Sequence, residues 1–553
     1  MRLSSVLLAF AAAIALPTVG SGQNGAPAGG NSPAGSQSAP AERPMTPSVK
    51  RPMTFDDMMA MKRLGDTAVS PDGKWLAYSV TSVDLEKNTK TAELWLQAIA
   101  GPSDQSSAPF KLGVGQPGDS GVQFAPDGKR ILFISGRTGA NQIWLADFDA
   151  ATGATTHLHK LTNLDLGIEN AKWSPDSKSI VFTAPVYPDC PAIVPDDNGA
   201  GAECNYDRDA KAADSKVKAQ IFTQLLYRHW NHYTGDKRSH LFLVSVETGA
   251  MRDLNPGDVH DVPPFSLEGV GCGCDISPDG KELAFTENVD AVPALSTSVS
   301  IFTLDLTNSA AKPVKVSTSA GGNFDPAYSP DGKWLAWRSQ ARAGYESDKF
   351  RLVLIERGGK SASQQVSESA GRETRATAGQ ETGATKGGPT VRDLLPKFDN
   401  WVDEFAWGAS SKQIAFVSGV RGEEDIYLTG PGSEAAGQIT RTGEFSNLHL
   451  LARTDHPGAV ERGGIGAVIA TMMRVNQPPE VALVSIGDTP EDVTDQPGVS
   501  DFDDSPIRVV THLNDALLAQ LDLPKMESFW FAAADKTKLE GFLIRPPGFD
   551  ATK

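Results

Sequence analysis

AVSPDGKWLAYSV, residues 68–80, decides the architecture because the chain repeats it. VQFAPDGKRILFIS (122–135), AKWSPDSKSIVFTA (171–184), CDISPDGKELAFTE (274–287) and PAYSPDGKWLAWRS (326–339) are copies, and FAWGASSKQIAFVS (405–418) is a weaker one. The position of Ser70 recurs 55 residues on at Ala125 and 49 further at Ser174, and Ser277 and Ser329 lie 52 apart. The longer interval from Ser174 to Ser277 holds an insertion at 185–235, and the interval to the sixth copy holds another at 358–390. A fixed period of this size marks a repeat architecture. Within one unit an apolar strand enters a Pro-Asp-Gly turn, where Pro presets φ and Gly supplies a positive φ. A second strand follows, as in WLAYSV. A third comes about ten residues later, as in ELWLQAI or HLFLVSV, and a short fourth closes the unit, as in HKLTN. Four antiparallel strands in about 50 residues make a propeller blade. A seventh unit without SPDG is expected from about 443 to 488, so the reading is all-β, a seven-bladed β-propeller over 51–495.

The flanks are different in kind. Met1-Arg2 followed by the apolar run Val6 to Leu16 and small residues at Gly20, Ser21 and Gly22 reads as a signal peptide over 1–22. The run is too short to span a bilayer, which takes about 20 residues, and no later segment is apolar enough to do so. Residues 23–50 hold almost no large apolar group and are expected to be a disordered tether. The destination is therefore periplasmic or extracellular. The net charge of −17 argues against nucleic-acid or anionic-membrane partners, which reward basic surfaces.

Export makes the four cysteines relevant, since oxidising compartments permit disulfides. Cys190 and Cys204 bracket a Pro/Asp/Gly/Ala loop, and a bridge closing it is the favoured pairing among three. Cys272 and Cys274 in GCGC lie two apart and would share one face of a strand. A strained pair, two free thiols and a metal site all remain open there. No metal and no cofactor are expected, because the nearest histidine is His260 and a closed site wants four ligands.

The SPDGK-W/E-LA-Y/F units resemble the propeller of the prolyl oligopeptidase (S9) family of serine peptidases, although TolB-like and WD40-like propellers carry similar repeats. FDDMMAMKRLGDTAVSPDGKWLAYSV, QLLYRHWNHYTGDKRSHLFLVSVETG and AGYESDKFRLVLIER resemble its dipeptidyl-peptidase and acylaminoacyl-peptidase branch. The tail ESFWFAAADKTKLEGFLIRPPGFDATK resembles the first hairpin of the family's α/β-hydrolase domain, so 496–553 is expected to be the start of that domain. The resemblance implies an exported exopeptidase that releases dipeptides or acyl-amino acids, with peptides as substrates, and is compatible with a homo-oligomer. A propeller standing alone as a protein-binding module is the alternative.

The catalytic chemistry of such an enzyme needs a G-x-S-x-G elbow with a later Asp and His. The 553 residues contain neither G-x-S-x-G nor an HGG stretch, so no catalytic residue is assigned and the chain by itself is expected to be inactive. His229, His232 and His240 lie near Arg228 in sequence, but they lack the spacing of a zincin motif. What remains is substrate recognition. In a propeller the turns between first and second strands lie on one face, and the connections between second and third strands and between blades lie on the other. The resemblance puts the hydrolase over the second face, and there a carboxylate carried by the propeller anchors the substrate amine. Glu346 in GYESD and Glu404 in WVDEF are the candidates, with Glu423 and Glu424 in a comparable connection. Each could instead be a solvated turn residue or pair with Arg342 or Lys349. Arg228 is a candidate for a substrate carbonyl or carboxylate and Trp230 for a pocket wall, or both pack the insertion against the propeller.

Overall fold

The computed structural model describes residues 50–99, 107–195, 199–223, 225, 227–229, 232–264, 271–357, 390–452, 464–486, 507–550 and 552. The expected signal peptide, nearly all of the tether and nearly all of the 358–390 insertion lie outside the described residues, as does Trp230.

The described chain is mostly β. Its first sheet runs Arg63–Val69, Trp75–Asp84, Thr89–Ala98, Phe110–Lys111, and its second Ser120–Phe124, Arg130–Ser135, Gln142–Phe148, Thr155–Lys160. The third is Glu169–Trp173, Ser179–Val186, Arg238–Ser245, Met251–Asp253. The fourth is Cys274–Ile276, Glu282–Glu287, Ser300–Asp305, Val314–Lys315, and the fifth Asn323–Tyr328, Trp334–Ser339, Arg351–Glu356, Arg392–Asp393. Two further groups follow: a sixth of Glu404–Trp407, Ile414–Val420, Glu423–Thr429, Gly437–Gln438, and a seventh of Glu444–Ala452, Ile465–Arg474, Gln477–Ser485, Ile507–Val509. One parallel pairing, Glu424 with Glu444, joins these two groups into a single eight-stranded sheet. Every sheet is antiparallel within its group of four, with strands in chain order. A separate hairpin, Met526–Ala532 with Lys538–Ile544, ends the chain's regular structure.

The turn serine explains why the motif repeats. Ser70 Oγ accepts the Trp75 amide at 2.9 Å and donates to Asp72 at 2.6 Å, while Asp72 accepts the Lys74 amide. Gly73 donates its amide back to the Ser70 carbonyl at φ 71°, a region that disfavours residues with a Cβ. The same hydroxyl–carboxylate contact recurs at Ser174/Asp176, Ser277/Asp279 and Ser329/Asp331. Each turn thus satisfies its own backbone and starts the second strand in register.

Second strands are buried on both faces, as at Trp75 to Val80. Alternate residues serve two different cores. Ile131 and Phe133 pack with Ala77 and Leu96 of the first sheet, whereas Leu132 and Ile134 pack with Ile180 and Phe182 of the third. The pattern continues along the chain. Val181 and Leu241 meet Leu283 and Phe285, Ala284 meets Leu335 and Trp337, and Ala336 meets Ile414 and Phe416. Ala415 and Val417 then meet Val468 and Ala470. Leu76, Tyr78 and Val80 of the first sheet share a cluster with Ile469, Val481 and Leu483 of the seventh group. At about 1.5–3 kcal/mol for each fully buried large apolar side chain, these faces supply the main cohesion between sheets.

Two differences from the sequence reading stand out. The seventh group takes its fourth strand from Ile507–Val509, within the segment 496–553 that was expected to begin a hydrolase domain. The chain following this strand also holds the N-terminal segment: the Asn514 side chain bonds both the amide and carbonyl of Lys62, and Arg51 exchanges backbone bonds with Gln520 and Asp522. The GCGC segment is not a regular strand. Gly273 sits at φ 53°, only Cys274 belongs to a strand, and the two cysteines are bonded to each other.

Candidate functional site

The 187–237 connection between the second and third strands of the third sheet is the largest addition to the repeats. It contains a helix, Ala200–Asp214, and a two-residue-per-strand hairpin, Arg228–His229 with His232–Tyr233. Cys190 and Cys204 are bonded, with Cα atoms 5.8 Å apart, and tie the start of the connection to this helix. Asn205 reinforces the tie by accepting the Tyr187 amide. Phe222 stacks with Tyr233 at 5.5 Å and lies 5.3 Å from Tyr227.

Under these rings lies a cavity of about 530 Å³. Ile221, Phe222 and Tyr227 come from the insertion, His260 and Asp261 from the connection to the fourth sheet, and Asp290 from the loop leaving the fourth sheet's second strand. Ala294 is common to this cavity and to a shallower depression of about 460 Å³, whose other wall is Gly344, Tyr345, Glu346 and Ser347. All these segments are connections between second and third strands or between sheets, and so lie on the side opposite the SPDG turns.

Glu346 is exposed, and no hydrogen bond or ion pair reaches its carboxylate among the described residues. The expected competitors for it have other partners. Arg342 lies 3.5 Å from Asp348 and over the Tyr345 ring, and Lys349 donates to the Phe398 carbonyl. Asp348 rather than Glu346 shapes the loop: its buried carboxylate accepts the Ala341 and Arg342 amides. Arg228 is exposed on the small hairpin and is absent from the cavity wall, where its neighbour Tyr227 stands.

Glu404 is held differently. It occupies the position four residues before the turn, equivalent to Asp66, Gly121, Asn170, Gly273 and Asp325 in other units. At Gly121, Asn170 and Asp325, with φ of 62°, 54° and 53°, the first strand bulges. The Glu404 carboxylate accepts the Asn447 and Leu448 amides, both at 2.7 Å, just as Asp66 accepts the Gly121 amide at 2.9 Å. Burial pushes the Glu404 carboxyl above its ordinary value, and those two amides oppose the shift. Glu404 is therefore engaged in joining strand groups. Glu423 likewise accepts the Gly443 amide. Glu424 has no such bond among the described residues; burial, then the neighbouring Asp403, Glu444 and Glu404, push its carboxyl up to about 6.

His229 and His232 are register partners in the small hairpin, whereas His240 belongs to the third strand of the third sheet. His240 is buried, with Nδ1 2.9 Å from Asp253 and Nε2 3.0 Å from the Asp258 carbonyl. His260, which the sequence offered only as the histidine nearest the paired cysteines, stands in the cavity wall. Among the described residues, Asp258, His260 and Glu287 are the one group of three whose donor atoms converge.

No family model matches the chain. Among curated proteins, dipeptidyl-peptidase 5 of Porphyromonas gingivalis is 24% identical over 516 residues, covering 91% of this chain and 62% of that protein. Dipeptidyl-peptidase 5 of Porphyromonas endodontalis is 27% identical over 310 residues, covering 55% of this chain and 40% of that protein. The chain thus spans less than two thirds of either relative. Among solved structures, an acylaminoacyl peptidase in complex with Z-Gly-Gly-Phe-chloromethyl ketone matches with a TM-score of 0.56 at 13% identity, over 89% of this chain and 59% of that one. Uncomplexed acylaminoacyl peptidase from Pyrococcus horikoshii matches with a TM-score of 0.55 at 14% identity, over 88% of this chain and 58% of that one. The structures show a shared, propeller-like fold. Both curated relatives are dipeptidyl-peptidases, in keeping with the resemblance of the repeats to the prolyl oligopeptidase (S9) family. Among the described residues no helix is long and apolar enough to cross a membrane.

Proposed function

We propose that the chain is the substrate-recognising propeller of an exported S9 exopeptidase that removes dipeptides from peptides with a free N-terminus. The observation that carries this reading is the match to dipeptidyl-peptidase 5 across nine tenths of the chain. The seven strand groups are read as blades of one ring. This is supported by the shared core of the first and seventh groups and by the contact of Thr67 with His449. Phe529, Trp530, Phe531, Leu539, Phe542, Leu543 and Ile544 are all exposed on the C-terminal hairpin, as expected of strands that open a further sheet. The catalytic Ser, Asp and His are assigned to that hydrolase domain and to no residue here.

In this reading Glu346 anchors the substrate ammonium. Among the described residues no cation competes for its carboxylate, which borders a depression adjoining the cavity beside the insertion, whereas Glu404 is engaged by two backbone amides. Covering the depression with a second domain would remove water and strengthen an ammonium–carboxylate contact. The test is Glu346→Gln in a protein that carries this chain together with its hydrolase domain. The expected result is a loss of about 10- to 100-fold in kcat/KM for free-amine dipeptidyl substrates and little change for N-blocked ones. Equal behaviour toward both substrate classes removes Glu346 from the site.

A further inference from the structure

Asp258 and His260 belong to the connection between the third and fourth sheets, and Glu287 ends the second strand of the fourth. His260 Nδ1 lies 3.0 Å from Asp258 Oδ1 and 3.5 Å from Glu287 Oε1. One donor atom from each of the three falls within 4.8 Å of the others. Tetrahedral ligand atoms at about 2.0–2.2 Å from a Zn²⁺ are about 3.3–3.6 Å apart, so the His260–Glu287 separation already suits a common ion and the His260–Asp258 separation is a few tenths of an ångström short.

The setting separates this group from an ordinary solvated ion pair. The Glu287 side chain is 6% exposed, and among the described residues no hydrogen bond or ion pair reaches its carboxyl from outside the trio. Two carboxyls with oxygens within 4.8 Å of each other repel when both are ionised, and a cation held between them relieves that repulsion. Outer groups fix the ligands in place, as metal sites require. His240 holds the Asp258 carbonyl at 3.0 Å, Asn255 approaches the Asp258 carboxylate at 3.4 Å, and the His260 amide donates to that carboxylate at 3.0 Å.

We propose that Asp258, His260 and Glu287 form a three-ligand site for a divalent cation of the Zn²⁺ or Mn²⁺ class in the wall of the main cavity. Two carboxylates with one imidazole suit such borderline-to-hard ions, and the set contains no thiolate to select a soft one. The ion neutralises both carboxyls and clamps the connection carrying His260 to the fourth sheet. His260 is also part of the cavity lining, which sets the three ligands beside that cavity. The inference does not rest on the peptidase reading, and it replaces the sequence expectation that no metal is bound.

The test uses the chain stripped with a chelator and titrated with ZnCl₂ or MnCl₂ alone, by calorimetry and native mass spectrometry. One ion per chain is expected, with a raised unfolding temperature. Glu287→Gln, which keeps the shape, and His260→Asn are each expected to weaken binding on the order of 100-fold. Changing the exposed His157 and His159 to Gln should leave binding as it was. Should Glu287→Gln fail to fold, His260→Asn carries the same comparison. Wild type and either ligand variant binding metal alike, or wild type binding none, overturns the proposal and leaves a proton shared between Asp258 and Glu287.

Discussion

The Glu404 carboxylate accepts the Leu448 amide at 2.7 Å across the join between the sixth and seventh strand groups, and its second oxygen takes the Asn447 amide. A carboxylate offers two acceptors there, and a glutamine offers one acceptor and one donor. Glu404→Gln therefore sets an NH₂ against a backbone N–H at a half-buried site. The expected cost is about 1–3 kcal/mol, read as a lowered urea midpoint. In a longer active protein the ratio of activity on free-amine and N-blocked substrates should not move. An unchanged midpoint contradicts the joining role.

His449 supplies a pH test of the contact between the first and seventh groups, where its Nε2 lies 3.2 Å from Thr67 Oγ1. Burial drives the imidazole down to about 4, and the Thr67 contact opposes the shift. An unfolded histidine titrates near about 6.5. Between these values the unfolded chain binds the extra proton and the folded one does not, so stability falls as pH drops from about 6.5 toward 4, by up to about 3 kcal/mol. The difference in urea midpoint between wild type and His449→Gln should shrink over this window, because other titrating groups cancel. A difference independent of pH rules the assignment out.

What the sequence reveals follows the range of the interactions. SPDG is a local device: hydroxyl, carboxylate, positive φ and second strand all lie within six residues, so the turn and its strand are read directly from one copy. The insertion leading to His240 and the position of Glu346 in its connection follow from counting units; Glu404, expected in a connection, opens the first strand of the sixth group instead. The use of Glu404 does not follow from counting, because its partners Asn447 and Leu448 belong to a unit without the motif. Repetition carried a usable signal here, since Asp66 occupies the same place relative to its turn and makes the same kind of bond. Ile507–Val509 is too short, and too far from its partner strand in sequence, to be recognised as the closing strand of the seventh group. Asp258, His260 and Glu287 meet only because a connection folds back against the end of a strand in the next sheet. No spacing rule joins them.

Cys190 and Cys204 enclose 14 residues of separation within one connection. Closing a loop of that size stabilises by about 3 kcal/mol on a chain-entropy basis. Both cysteines lie outside the sheets, so the benefit should be local. Peptide mapping without reductant should recover the pair linked in exported material. Replacing both by serine should speed proteolysis within 187–237 more than it lowers the unfolding midpoint. Recovery of both as free thiols contradicts the pairing.

The fourth and fifth sheets share a buried ion pair, and it gives the sharpest stability prediction. Arg357 lies 2.8 Å from Glu282, with side chains 9% and 1% exposed, and the Tyr328 hydroxyl donates to the same carboxylate oxygen at 2.8 Å. The guanidinium also lies 4.7 Å from the centre of the Tyr328 ring. Arg357→Met takes the cation away and leaves the carboxylate in the sheet interface, at an expected cost of about 3–5 kcal/mol. Lys87→Met removes the partner of Asp84 from a solvated pair, 77% and 40% exposed, and should leave the midpoint within error. Arg357→Met combined with Glu282→Met should recover much of the loss, since the buried charge is then gone, while the Tyr328 hydroxyl loses its acceptor. If the double variant is no more stable than Arg357→Met alone, packing of the arginine stem holds the sheets together here, and the charge pair does not.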